Sequence, residues 1–192
     1  MIAAWRQVFV EAGGAVPDRN VERMLSMTHV PVPEGDQRRV ELVVPGLNVA
    51  RGRPLFCDVT VISPVTRNGR PRPGTSNVGG NPLAQAEAAN NGTYAPVVES
   101  GLGALYLLGH EVYGRMSRQC VELLPQLAQE KARGSPIRLR RGTALSYLTR
   151  WSCLLSVSLQ KAVAAGVLRD HGGDLPCTLL EEEPSVADLL LC

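Results

Sequence analysis

Lysine is almost missing from this chain of 192 residues. Of its 20 basic residues only Lys131 and Lys161 are lysines, and none precedes position 131. Arginine binds phosphates and carboxylates bidentately but cannot give up a proton as lysine can. A secretion signal is also missing. The apolar run in MIAAWRQVFVEAGG is short and broken by Arg6 and Glu11. No uninterrupted apolar run reaches the roughly 18 residues that span a bilayer. The expectation is a soluble intracellular protein, nuclear or cytoplasmic, with no membrane partner.

Metal-ligand and nucleophile signatures are absent as well. Cys57, Cys120, Cys153, Cys177 and Cys192 form no CxxC, and His29, His110 and His171 are scattered. That excludes a recognisable zinc site or disulfide framework. Cys57, Cys120 and Cys153 lie in apolar segments and read as small core residues. There is no GxSxG, and no Ser or Cys stands beside a His in a hydrolase pattern. The stretch NVGGN lacks the lysine of a phosphate-binding loop. The sequon Asn91-Gly92-Thr93, without a secretion signal, reads as chance.

What is present suits a folded domain: 44% hydrophobic and 20% charged residues, with a net charge of +2. Bulk charge therefore does not argue for nucleic acid, but the placement of arginine does. Arg51, Arg53, Arg67, Arg70 and Arg72 form one cluster. Arg138, Arg140 and Arg141, near Lys131 and Arg133, form another. Either can track a phosphate backbone. Equally, both can be ordinary solvated segments.

Along the chain, Ala4, Trp5, Val8, Phe9 and Ala12 have helical spacing, and Gly13-Gly14 stops that helix. A second short helix is expected from Asp18 to about Leu25, then an extended linker through Pro31 and Pro33. Residues 40–44 and 55–62 read as strands, the second rich in β-branched residues. Residues 63–81 read as a Pro-, Gly- and Arg-rich surface loop. Asn81 can cap a helix whose first position is Pro82. Short strands are expected at 95–98 and 104–108. Ser117 can cap a helix to about Ala132, with a kink at Pro125. A long apolar helix spans 143–169, and a loose acidic tail follows. The division is N-terminal helices and linker at 1–37, a main domain at 38–170 and the tail at 171–192. The fold class is α/β (α+β): a small mixed sheet flanked by helices.

Acidic residues supply the candidate chemistry. If residues 40–44 and 55–62 form a hairpin centred near 49–50, Val44 faces Leu55 and Glu41 faces Asp58. Directly opposed residues have Cβ atoms roughly 4.5–5.5 Å apart. Two carboxylates that close repel unless a cation or a shared proton relieves them, and hard oxygen ligands suit Mg²⁺. Glu87, on the next helix, is a third candidate; Glu99 and Glu111 are further ones. The alternative is that Glu41 and Glu87 are solvated and Asp58 serves a local polar network.

The stretches RRVELVVPG, PLFCDVTVISP, AQAEAANNGTY and LYLLGHEVYGRMS resemble the endonuclease-like segment that follows the reverse transcriptase in non-LTR retroelement reading frames. That segment belongs to the PD-(D/E)XK, or restriction-endonuclease-like, superfamily. The resemblance covers roughly residues 38–165. It implies a restriction-endonuclease-like core and Mg²⁺- or Mn²⁺-dependent hydrolysis of a DNA phosphodiester. It places Glu41 at the first acid, Asp58 at the second and Glu87 on the acidic helix; Tyr94, Glu111 and Arg115 are the other matched positions. It also implies a lysine, for which this chain has Thr60, Asn90 and Asn91. The expectation is a degenerate, weakly active or inactive nuclease domain, with DNA or RNA and a polymerase region of the same reading frame as partners. The alternative is a non-catalytic nucleic-acid-binding or scaffold module.

Overall fold

The computed structural model describes residues 1–16, 23–75 and 78–170. In chain order they form α1 (Ile2–Ala12), β1 (Arg23–Met24), β2 (Arg39–Val40), β3 (Leu42–Val44), β4 (Leu55–Ile62), α2 (Asn81–Thr93), α3 (Ala95–Ser100), β5 (Ala104–Glu111), α4 (Arg118–Ala132) and α5 (Arg140–Asp170). The architecture is mixed α+β, with two small sheets flanked by helices. One sheet is the pair β1–β2. The other has the order β3-β4-β5, antiparallel between β3 and β4 and parallel between β4 and β5.

Side-chain alternation along β4 divides the core. Leu55 and Cys57 point to the face covered by α1, α4 and α5, where Trp5, Phe9, Leu123, Leu127, Trp151 and Leu155 are buried with Leu108 of β5. Phe56 points the other way and packs with Leu25, Val30, Val40, Tyr94 and Val97. Each fully buried Leu or Phe contributes about 1.5–3 kcal/mol relative to exposure. Residues 1–12, set apart from the main domain in the sequence reading, supply α1 to its larger core. Cys57 and Cys120 are buried, but Cys153 is exposed, because it falls on the outer side of α5.

The free edge of β5 is closed by side chains from the start of α4. Ser117 caps α4 by accepting from Cys120 N at 3.3 Å, and its hydroxyl donates to Leu107 O at 2.9 Å. Gln119 Oε1 accepts from Leu107 N. These bonds satisfy backbone groups that an edge strand otherwise leaves open.

Several expected elements take a different form. Most of the helix expected from Asp18 lies outside the described residues. Its last positions are strand β1 and the start of a 3-10 turn, Leu25–Met27. The strand expected over 40–44 breaks at Glu41 into β2 and β3. Gly80, not Asn81, caps α2; Asn81 is already helical, and its Nδ2 donates to Pro73 O at 2.9 Å. Residues 95–98 belong to helix α3, with Pro96 in its first turn and Gly101 in a left-handed closing position. Strand β5 runs three residues further than expected, to Glu111. Helix α4 continues through Pro125, and α5 is 31 residues long. The tail at 171–192 lies outside the described residues.

Residues 137–169 are long and apolar enough, by length and composition, to cross a membrane, with a mean hydropathy of 1.4 in the best window. The same helix buries Trp151, Leu154, Leu155, Leu159 and Ala165. A core helix passes the same test, so the property is a weak sign of a membrane.

The connection from β3 to β4 stores backbone strain. Ala50 and Arg51 have φ values of 49° and 61°. A non-glycine residue there costs roughly 1–2 kcal/mol, partly offset in a glycine by its greater unfolded-state entropy. Arg51→Gly is therefore expected to stabilise the fold by about 0.5 kcal/mol, read as a higher denaturant midpoint. A lower midpoint would show that the Arg51 side chain contributes more than its backbone costs.

Candidate acidic site

The hairpin register agrees with the sequence expectation up to a point. Val44 is opposite Leu55, Val43 opposite Phe56 and Leu42 opposite Cys57. The next pair would be Glu41 and Asp58, but the chain bends at Glu41 and the ladder stops. Val59 N thereby loses a strand partner, and Glu41 Oε2 accepts from it at 2.7 Å. One oxygen of Glu41 thus closes the edge of β4.

Asp58 sits mid-strand on the face covered by α2. Its neighbours on that face define the layers. Phe56 packs with Tyr94. A Cβ on Gly109 would meet Leu83 Cδ2 at 2.8 Å and Thr60 Cγ2 at 3.6 Å, so Leu83 and Thr60 share one layer. Asp58 lies between Thr60 and Phe56 along β4, and Asn90 lies between Leu83 and Tyr94 along α2. Asn90 is buried, and its Nδ2 has no hydrogen-bond partner. Asp58 is half-buried and makes no hydrogen bond or ion pair among the described residues. Burial pushes the Asp58 carboxyl pKa up.

Glu87 turns elsewhere. Its Oε1 accepts from Gln119 Nε2 at 2.8 Å, which holds Gln119 against the β5 edge. Glu99 is exposed on α3. Glu111 is buried at the end of β5; its Oε1 has no partner, and its Oε2 is 3.5 Å from Arg115 Nε. Tyr94 is buried, and its hydroxyl donates to Arg39 O, tying the end of α2 to β2. The three expected acids therefore do not form one set, because Glu41 and Glu87 each satisfy a sheet edge. Among the described residues no group of three or more His, Cys, Asp or Glu side chains is placed to hold a metal ion.

Mg²⁺ commonly takes only one or two protein carboxylates and completes its shell with water and phosphate. Asp58 and Glu41 are the two that would supply them, with one Glu41 oxygen already committed. A bound Mg²⁺ would polarise a phosphate and lower the pKa of a water. No lysine is at hand, although the Met1 amine is close enough to interact with the Glu41 carboxylate. Lys131 Nζ lies 5.4 Å from the centre of the Tyr147 ring, at the α4–α5 contact, and Lys161 is exposed on α5.

All eight expected phosphate-binding arginines are exposed. Arg51 and Arg53 border a groove of about 760 Å³ that Glu99 and Glu122 also line. Arg140 and Arg141 rim an apolar groove of about 470 Å³ between α4 and α5, floored by Ala128, Ala132, Ala144 and Leu148. Arg67, Arg70 and Arg72 lie beyond the end of β4. Sequence reasoning missed the polar cluster that ties α1 to α5. Glu11 accepts from Arg150 Nη2 at 2.9 Å and Trp151 Nε1 at 2.8 Å, more than a hundred residues away. No local pattern announces such a contact.

Comparison of the chain with protein-family models, with curated proteins and with solved structures finds no match.

Proposed function

We propose that this chain is a nucleic-acid-binding domain of endonuclease-like descent in which phosphodiester hydrolysis is residual or lost. The observation that carries the reading is Asp58: a half-buried, unpartnered carboxylate mid-strand, layered under an amide, Asn90, where an active site of this kind needs an ammonium. The element order supports it. A hairpin carries Asp58 mid-strand and Glu41 at the break just before β3, and a helical crossover carrying Asn90 leads to a parallel strand. Tyr94, four residues after Asn90, anchors that crossover. The DNA or RNA partner would be held through the exposed arginines, and a polymerase region of the same reading frame remains the proposed neighbour. An intracellular location, nuclear or cytoplasmic, goes with that reading.

Plasmid nicking in Mg²⁺ or Mn²⁺ tests the descent. Wild type is expected to nick weakly at most. Asn90→Lys, which puts an ammonium on the stretch of α2 that covers the Asp58 face of β4, is expected to raise the rate on the order of a hundredfold, the scale on which single charge-stabilising groups act. Asp58→Ala in the same background is expected to remove the gain. Equal traces from all three proteins would end the endonuclease reading.

Binding is tested separately. Replacing Arg138, Arg140 and Arg141 with Gln is expected to weaken DNA binding and to flatten the log–log salt slope by about 0.9 per lost phosphate contact. An unchanged slope would remove that segment from the interface.

A further inference from the structure

Strands β4 and β5 run parallel to their last residues, where Ile62 is opposite Glu111. The chain therefore leaves both strands at one end of the sheet. Val112 N donates to Ile62 O at 3.0 Å and ties the two exits together.

Beyond β4 the chain builds a short arm. Val65 bridges Pro71, Thr66 N donates to Arg70 O at 2.7 Å, and Arg72 Nε donates to Ser63 O at 2.9 Å. Arg67 and Arg70 stand at its tip. Those two and Arg72 are exposed, and none forms an ion pair among the described residues. Beyond β5 lies a tight turn. Glu111 N donates to Arg115 O at 2.7 Å, Gly114 N donates to Glu111 O at 2.9 Å, and Gly114 has a φ of 95°. Tyr113 is held at the crest of this turn, 74% exposed. Glu111, the acid at this end of β5, does not cancel the arginines, because it is buried beside Arg115.

An exposed aromatic ring on a fixed turn, at the same end of the sheet as three exposed guanidinium groups that form no ion pair among the described residues, has the two parts that hold an unpaired nucleotide. The ring offers a stacking face, and the arginines meet the backbone phosphates. In a duplex the base faces are already stacked on one another, so only an unpaired base can use the ring.

We propose that Tyr113 and the Arg67–Arg72 arm form a binding site for single-stranded nucleic acid, with a base stacked on Tyr113. The inference rests on the nucleic-acid reading above and adds which form is bound and where. Ile62 is four residue steps along β4 from Asp58, about 13 Å at strand rise. The bound strand would thus pass beside the acidic site, within a few nucleotides of it.

The test is fluorescence anisotropy with a labelled oligothymidylate of about 20 nucleotides and an abasic strand of the same length. Wild type is expected to bind the thymidylate more tightly than the abasic strand. Tyr113→Ala is expected to lose about tenfold in affinity for thymidylate and nothing for the abasic strand, while Tyr113→Phe keeps both. The turn is exposed, so the melting midpoints of the variants should match wild type. Unchanged thymidylate affinity in Tyr113→Ala would overturn the stacking role and leave the broader nucleic-acid reading standing. Failure of wild type to bind either strand would overturn both.

Discussion

Trp5→Ala is expected to cost the fold about 4 kcal/mol, within the range for emptying a buried indole site. Trp5 is fully buried, in the same cluster as Phe9, Leu108, Leu123 and Trp151. Its ring sits 5.8 Å from Phe9 and 6.0 Å from His110, centre to centre. Its Nε1 donates to His110 Nε2 at 3.0 Å. Alanine removes the packing and also leaves a buried histidine nitrogen without a partner. Domains of this size are stable by about 5–15 kcal/mol, so the variant should sit near the edge of folding. Trp5→Phe separates the two parts, because it keeps most of the volume but loses the N–H donor. It is expected to cost about 1–3 kcal/mol, the penalty for an unsatisfied buried polar group. Urea denaturation measures both. A loss under 1 kcal/mol in Trp5→Ala would mean that α1 is not integral to the core.

The second large effect is on the pH dependence of stability. Because Nε2 of His110 accepts the Trp5 bond, the neutral ring carries its proton on Nδ1. Burial, assisted by the positive Met1 amine, lowers the His110 pKa from 6.5 to about 4. A second proton would also set two N–H donors against each other at Trp5. The unfolded chain takes up that proton below pH 6.5 and the folded chain does not until about pH 4, so stability falls on acidification. The gap corresponds to roughly 3 kcal/mol at full extent, with about 2 kcal/mol gone by pH 5.

Glu11 adds in the same direction at lower pH. Its burial alone would raise the carboxyl pKa, but bonds from Arg150, Trp151 and Gln7 outweigh it and leave the pKa lowered. Its contribution is lost as pH drops below its ordinary value of 4.5. Asp58 acts oppositely: its raised pKa means that protonation relieves a buried charge. The interval from pH 6.5 to 5 starts at the ordinary histidine value, and comparison with a His110 variant isolates the His110 part of it. His110→Gln keeps an acceptor for Trp5 and cannot titrate, so its curve should lack that part of the fall. A wild-type curve parallel to the variant's from pH 6.5 to 5 would refute the assignment.

Much of the scaffold is legible locally. Helix α1 follows from the spacing of Trp5, Val8 and Phe9 and from the stop at Gly13. Strand β4 follows from its β-branched run, and the start of α4 from Ser117. The hairpin register is legible because the apolar residues Leu42 and Val44 must face the same core as Leu55 and Cys57. What escaped depends on distant partners. The segment Ala95–Ser100 carries two adjacent valines and looks like a strand. It is helical because Pro96 starts a turn well and Val97 must reach the pocket beside Phe56. Asn81 is a good capping residue by type, but Pro73 offers it a carbonyl and Gly80 takes the cap. The roles of Glu41 and Glu87 escaped for one reason. Glu41 directly, and Glu87 through Gln119, serve backbone groups at strand edges that pair with no further strand, and no residue pattern records where those edges fall.

The parallel pairing of β4 with β5 also orders the assembly of the chain in time. The β3–β4 hairpin closes over a short connection and can form early. β4 and β5 meet only after about forty intervening residues have been gathered, with the loop-closure entropy that entails. The central sheet should therefore zip last along its parallel seam. Until then the backbone of β4 is an open template on that side, the state in which two copies of the chain are most apt to exchange strands.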